Sequence, residues 1–214
     1  MKKVLLFLFS LLFIVSCNTK TAEEKLQEQQ NELFKFREHV SQVSDQVIST
    51  RESIVIQLTT PVEGWATGKE LDANLINLKP SASGKLTALD AQTISFLPEK
   101  PLKQDEEYEV IFKLGKVKEV AKDLNEFTFN FKTLAQDFII STDPVGSYTS
   151  DYQYVTGAIK SSDIMELENA KQIVTAKLNG KDLLLKFENS ITLGKYFEFK
   201  IDSIKRPVED EKVE

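Results

Sequence analysis

From Phe34 onward, apolar and polar positions alternate with a period of two. Ile54, Ile56 and Leu58 share one face, and Ile94 and Phe96 share another. Tyr108, Val110, Phe112 and Leu114 alternate with Glu107, Glu109, Ile111 and Lys113. The sharpest run sets Phe127, Phe129 and Phe131 against Glu126, Thr128, Asn130 and Lys132. Successive strand side chains point to opposite faces, so these runs predict antiparallel strands with one buried and one wet face. Pro61, Gly64, Gly68, Pro80, Gly84, Pro98, Pro101, Gly115 and the Leu124-Asn125 pair punctuate them. Short strands at close intervals without intervening helices predict a β-sandwich over 34–133.

A second set of strands occupies 134–206. Tyr152 to Ile159 is a predicted strand, and Met165 to Gln172 a short helical or turn segment. Val174, Ala176 and Leu178 alternate before Asn179-Gly180, and Leu183, Leu185 and Phe187 alternate after it. Asn-Gly between alternating runs predicts a type I′ hairpin, whose two central residues need positive φ. A further strand carries Phe197, Phe199 and Ile201. The segment 207–214 is a charged tail, and no closing strand is legible, so the second unit is expected to expose an unpaired edge that seeks a partner. The fold class expected is all-β: two tandem antiparallel β-sandwiches, the second incomplete.

The segment 18–33 is polar and rich in Gln and Glu, which predicts a tether with some helix. Leu26, Leu33, Val40 and Val47 recur every seven residues with Phe36 and Val43 between them, a coiled-coil register that Gln29 interrupts. Phe34, Phe36 and Val40 equally fit strand alternation, and both readings stay open.

Ahead of these lies a different pattern. Lys2-Lys3 precedes the apolar run Val4 to Val15, interrupted only by Ser10. A membrane-spanning helix needs about 20 apolar residues, so this run reads as a secretory signal over 1–16. Ile14-Val15-Ser16-Cys17 resembles the lipobox of a bacterial lipoprotein. That resemblance implies cleavage before Cys17, a diacylglyceryl thioether on its sulfur and an acyl chain on its new amino group, followed by the tether over 17–33. Several acyl chains hold a protein stably on a membrane. On the same resemblance, Asn18 after the cysteine implies the outer membrane, facing the periplasm ahead of the alternative, the cell surface. Cys17 is the sole cysteine, so no disulfide can form within the chain.

Charge narrows the partners. The 27 basic residues, less Lys2 and Lys3, leave 25 against 33 acidic ones, a net charge of −8 for the mature chain. An acidic chain without a Lys/Arg cluster excludes nucleic acid as a partner, because that affinity rests on neutralised phosphates. The partners expected are the membrane, through Cys17, and proteases or envelope proteins.

Catalytic and cofactor motifs are sparse, and neither enzymatic activity nor a cofactor is expected. His39 is the one histidine and has no nucleophile motif around it. Gly64-Trp-Ala-Thr-Gly-Lys-Glu70 has only three residues between its glycines and Glu70 where a phosphate loop places Ser or Thr. One histidine and one acylated cysteine cannot build a structural zinc site. Asp143, Asp151 and Asp163 fall in predicted loops, without the spaced acidic loop and closing Glu that calcium favours; they read as solvated acids. Trp65 has two readings, a ligand-stacking ring for a sugar or a lid packed over the sandwich end.

Several stretches together resemble a known family. Phe34-Lys-Phe36, Val47 to Val62, Thr93-Ile-Ser-Phe-Leu-Pro98, Pro101-Leu102 and Tyr108-Glu-Val110 are similar to a bacterial immunoglobulin-like domain. Tyr154-Val-Thr-Gly157, Ser162-Asp163, Ala176 to Lys181 and Phe197 to Arg206 resemble the first macroglobulin domain that follows it in the lipoprotein alpha-2-macroglobulins of diderm bacteria. The resemblance implies the anchoring front end of a protease inhibitor. No Cys-Gly-Glu-Gln thioester run and no bait region are present, so it gives no residue the trapping chemistry.

Overall fold

The computed structural model describes residues 21–188 and 191–206. The signal over 1–16, with Ile14, Val15 and Ser16, the lipidated Cys17, Asn18 and the tail over 207–214 lie outside the described residues. Among those described, no helix is long and apolar enough to cross a membrane.

Strand alternation builds the first unit as predicted. The strands are β1 (Val40–Val43), β2 (Val47–Ile48), β3 (Ile54–Leu58), β4 (Ile76–Lys79), β5 (Gly84–Ala88), β6 (Thr93–Pro98), β7 (Glu107–Phe112) and β8 (Phe127–Thr133). They form two four-stranded sheets, in the orders β1-β3-β6-β5 and β2-β8-β7-β4. All pairs are antiparallel except β2 with β8. Ile54, Ile56, Leu58 and Ile94 from one sheet meet Val110, Phe112, Phe127 and Phe129 from the other, all fully buried. Each such side chain contributes about 1.5–3 kcal/mol, enough for a sandwich without disulfides.

The polar segment before it is a docked helix. In α1 (Ala22–Lys35), the Thr21 hydroxyl accepts from the Glu24 N–H while the Glu24 carboxylate accepts from the Thr21 N–H, a reciprocal cap that fixes where the helix starts. Lys25 pairs with Glu107 at 2.5 Å, and Lys35 Nζ donates to the Asp123 carbonyl at 2.9 Å. Leu33 packs on the first core, and Phe36, which caps the helix, is wholly buried with its ring 5.1 Å from that of Phe127. The coiled-coil register does not persist past Lys35. Phe36 and Val40 enter the sandwich core rather than a helical seam, and Val47 lies in β2.

The second unit comprises β9 (Phe138–Thr142), β10 (Gly146–Ser147), β11 (Tyr152–Glu166), α2 (Leu167–Ile173), β12 (Lys177–Leu178), β13 (Lys181–Asp182), β14 (Leu185–Phe187) and β15 (Leu193–Lys205). Its main sheet has β11 and β15 at the centre, β14 on one side, and β9 and β10 end to end along the other side of β11. Pro144, which has no N–H to donate, stands at the break between β9 and β10. Val155, Ile159, Phe197, Phe199 and Ile201 line the inner face, covered by α2 and the β12–β13 ribbon. The ribbon turns at Asn179 and Gly180, with φ of 50° and 75°, as a type I′ turn requires. The architecture is thus all-β and sandwich-like, with helix and ribbon as the second layer here. Among the described residues, β15 is interior and the open edges lie at β9–β10 and β14.

Candidate functional site

The two units meet at a buried polar contact. Asp163 is fully buried within β11, and its Oδ2 accepts from the Thr50 N–H at 2.9 Å and the Thr50 hydroxyl at 2.8 Å. Its Oδ1 accepts from the Ile164 N–H at 2.7 Å. Burial pushes the pKa of this carboxyl up, but the donors on Ser49, Thr50 and Ile164 outweigh it and hold the group below the usual carboxylate range. Arg51 and Glu166 add an ion pair at 2.7 Å beside it. Asp163 is therefore a structural fastener, which corrects its placement in a solvated loop. A loop reading from sequence could not anticipate a partner 113 residues away.

The other singled-out residues are dispersed. The Asp143 carboxylate accepts from the Thr156 hydroxyl at 2.6 Å, and that of Asp151 from the Ser150 hydroxyl at 3.2 Å. Each acid is engaged locally and separately. Trp65 is half-buried and packs on the first core, the lid position, and its backbone N–H donates to the Val62 carbonyl at 3.2 Å. His39 stands in the turn between α1 and β1, half-buried.

The most distinctive surface is one that strand alternation did not reveal. All five residues of β9 are exposed, including Phe138, Ile139 and Ile140 at 43%, 69% and 43%. One side of β9 pairs with β11, from Phe138 opposite Ser161 to Thr142 opposite Gly157. Among the described residues no strand pairs with its other side. Asp137 and Asp143 flank it, and neither has a cationic partner among the described residues. Such edges are ordinarily blunted with lysine, proline or a covering element, and β9 itself carries neither residue.

The neighbouring β10 end is closed by comparison. Tyr148 and Tyr154 have ring centroids 4.6 Å apart, and Lys200 Nζ lies 4.9 Å from each. The hydrogen bond with Tyr148 is the main cause of a raised Lys200 pKa. Gly146 makes this packing possible, since a Cβ there would come within 2.4 Å of the Tyr154 ring. Along this side of β11, β9 is the longer and more apolar of the two edge strands.

The chain matches no protein-family model and no curated protein. Among solved structures it is similar to L,D-transpeptidase 3 from Mycobacterium tuberculosis in complex with a faropenem-derived adduct, at 17% identity and a TM-score of 0.32. That match covers 56% of this chain and 46% of the other. An L,D-transpeptidase from M. tuberculosis H37Rv matches at 13% identity and a TM-score of 0.33, over 71% and 59% of the two chains. The chain thus spans about half the length of these structures. They are transpeptidases and not macroglobulins, which corrects the resemblance to the alpha-2-macroglobulin family, the role as the front end of a protease inhibitor, and the expectation of no enzymatic activity. At these TM-scores the likeness does not carry the transpeptidase activity over to this chain.

Proposed function

We propose that the chain is a lipid-tethered module of the bacterial cell envelope that captures an extended segment of a partner protein along β9. The observation that carries this reading is the unpaired, uniformly exposed Phe138-Ile-Ile-Ser-Thr142 edge. A strand added there gains main-chain hydrogen bonds for affinity and reads alternate side chains for specificity. The lipobox resemblance at Ile14 to Cys17 supports the tether, and Asn18 supports the periplasmic face of the outer membrane.

A second copy of this chain fits the edge poorly. Antiparallel self-pairing centred on Ile140 sets Asp137 opposite Asp143 of the other copy at both ends, and like charges directly opposite are destabilising. The occupant is instead a foreign strand with apolar residues at alternate positions and a basic residue at each end.

The test uses fluorescence anisotropy with a labelled synthetic peptide, Lys-Val-Thr-Val-Thr-Val-Lys. Binding is expected to fall at least tenfold in Ile139→Lys and when both terminal lysines of the peptide become glutamate. Ile139 is largely exposed, so its replacement leaves the melting temperature unchanged. Absence of binding, binding indifferent to Ile139→Lys, or dimerisation of the free protein that Ile139→Lys abolishes would each overturn the proposal.

A further inference from the structure

The β12–β13 ribbon is closed at its base, where the Leu183 N–H donates to the Ala176 carbonyl at 2.8 Å. Beyond that bond the two segments separate. Val174, extended with φ −115° and ψ 128°, comes from α2, whereas Leu185–Phe187 joins the main sheet as β14. Between them opens a cavity of about 740 Å³, walled by Val174, Leu183, Leu185 and Phe187. All four are only partly buried against the second core, so the cavity is a cleft leading into that core.

The main chain of β14 shows what the cleft can hold. In an antiparallel pair, alternate residues turn their N–H and C=O toward the partner strand and the others turn them away. The Leu184 carbonyl accepts from the Asp202 N–H at 3.3 Å, and the Glu188 N–H donates to the Glu198 carbonyl at 3.0 Å, so the even-numbered residues face β15. Leu183 turns the other way, toward Ala176. Leu185 and Phe187 therefore present their N–H and C=O to the cleft, and among the described residues no strand pairs with that side of β14. A purely apolar ligand would cover the side chains and leave these main-chain groups unpaired, whereas an added strand satisfies both.

Charge narrows the choice of strand. Of the charged residues lining the cleft, Lys171 pairs with Glu168 at 2.7 Å and Asp182 with Lys177 at 3.8 Å. Lys186 has no ion pair among the described residues. It stands directly opposite Lys200 of β15, and like charges so placed repel. Its other flank is the one an added strand would occupy.

We infer that this cleft takes up an extended segment of a partner protein with the pattern apolar, acidic, apolar. The apolar residues lie opposite Leu185 and Phe187 and enter the cleft. The acidic residue lies opposite Lys186 on the other face of the sheet and offsets its repulsion from Lys200. The site is at the opposite edge of the sheet from β9 and does not depend on capture there. The two edges differ in charge: β9 selects basic ends and β14 an acidic centre.

The test uses fluorescence anisotropy of a labelled peptide, Thr-Val-Glu-Val-Glu-Val-Thr, on the intact protein, with a comparison peptide carrying Lys for both Glu. The glutamate peptide is expected to bind at least tenfold more tightly than the lysine peptide, and Lys186→Glu to reverse that preference. Lys186 is exposed and faces another lysine, so this variant should melt no lower than the unaltered protein. Saturation with the glutamate peptide should slow amide exchange at Leu185 and Phe187 at least tenfold, and Ile139→Lys should leave its binding unchanged. Absence of binding, a preference that Lys186→Glu does not alter, or loss of binding in Ile139→Lys would each overturn the inference. Unchanged exchange at both amides, with dodecanoate displacing the peptide, would make the cleft a lipid pocket and overturn it as well. Should Lys186→Glu fail to fold, the two peptides and the exchange of the two amides in the unaltered protein still decide.

Discussion

The Asp163 carboxylate takes both the N–H and the hydroxyl of Thr50 on one oxygen, at 2.9 and 2.8 Å, and so fastens β11 of the second unit to the turn after β2 of the first. Removing it in Asp163→Ala leaves two donors of Thr50 without their acceptor at a buried position. The expected loss is roughly 2–3 kcal/mol, measured by chemical denaturation. The group's depressed pKa also sets a sign. Its contribution is fully present above the unfolded value, about pH 4, and is lost as pH falls through the lower folded value. Asp163→Asn should therefore show a weaker loss of stability on acidification below about pH 4 than the unaltered chain.

Phe36 carries the docking of α1. It is wholly buried against Phe127, so Phe36→Ala should cost about 3–5 kcal/mol through lost burial and the cavity left behind. Amide exchange should rise along Ala22–Lys35 more than in β7, because the helix loses its principal apolar anchor. Equal protection of the helix in both proteins would show that the Lys25–Glu107 pair, the Lys35 bond to the Asp123 carbonyl and Leu33 suffice to hold it.

The strands whose one face is buried were legible because burial imprints a period of two: β3, β7 and β8 follow it residue by residue. The Asn179-Gly180 turn was equally clear, since its backbone demand falls on two particular residue types. What escaped was set by tertiary partners. In α1, the face turned to the sandwich carries Lys25, Gln29 and Glu32 beside Leu33, so no apolar stripe announced it. In β9, three apolar residues run consecutively, because neither face is well covered and no alternation is imposed.

Gly157 sits in β11 beneath Phe199. A Cβ there would come within 2.5 Å of the Phe199 ring and of the Ser141 carbonyl oxygen in β9. Gly157→Ala should cost about 1–3 kcal/mol by overpacking. The disturbance should appear first as faster amide exchange along Phe138–Thr142, since the edge strand yields more readily than the central pair β11–β15. Unchanged exchange there, with loss elsewhere, would show that Phe199 moves instead.

The proposed tether places the address of the protein on Cys17. Cys17→Ser should move the protein from the membrane fraction to the soluble fraction and abolish the mass added by acyl chains in the intact protein. Retention in the membrane fraction without added mass would mean that some other part of the chain holds it there.

The docking of α1 changes what a lipid at Cys17 would do mechanically. A free chain from Cys17 to Phe34 could reach at most ~60 Å, and the sandwich could swing well clear of the bilayer. With the chain held from Thr21 onward, only four peptide links remain, a leash of at most ~14 Å. The lipid and the folded body then move as nearly one object, and the capped end of α1 is pinned near the headgroups. On the proposed lipid tether, a segment captured along β9 would have to approach a body held within that short leash of its membrane.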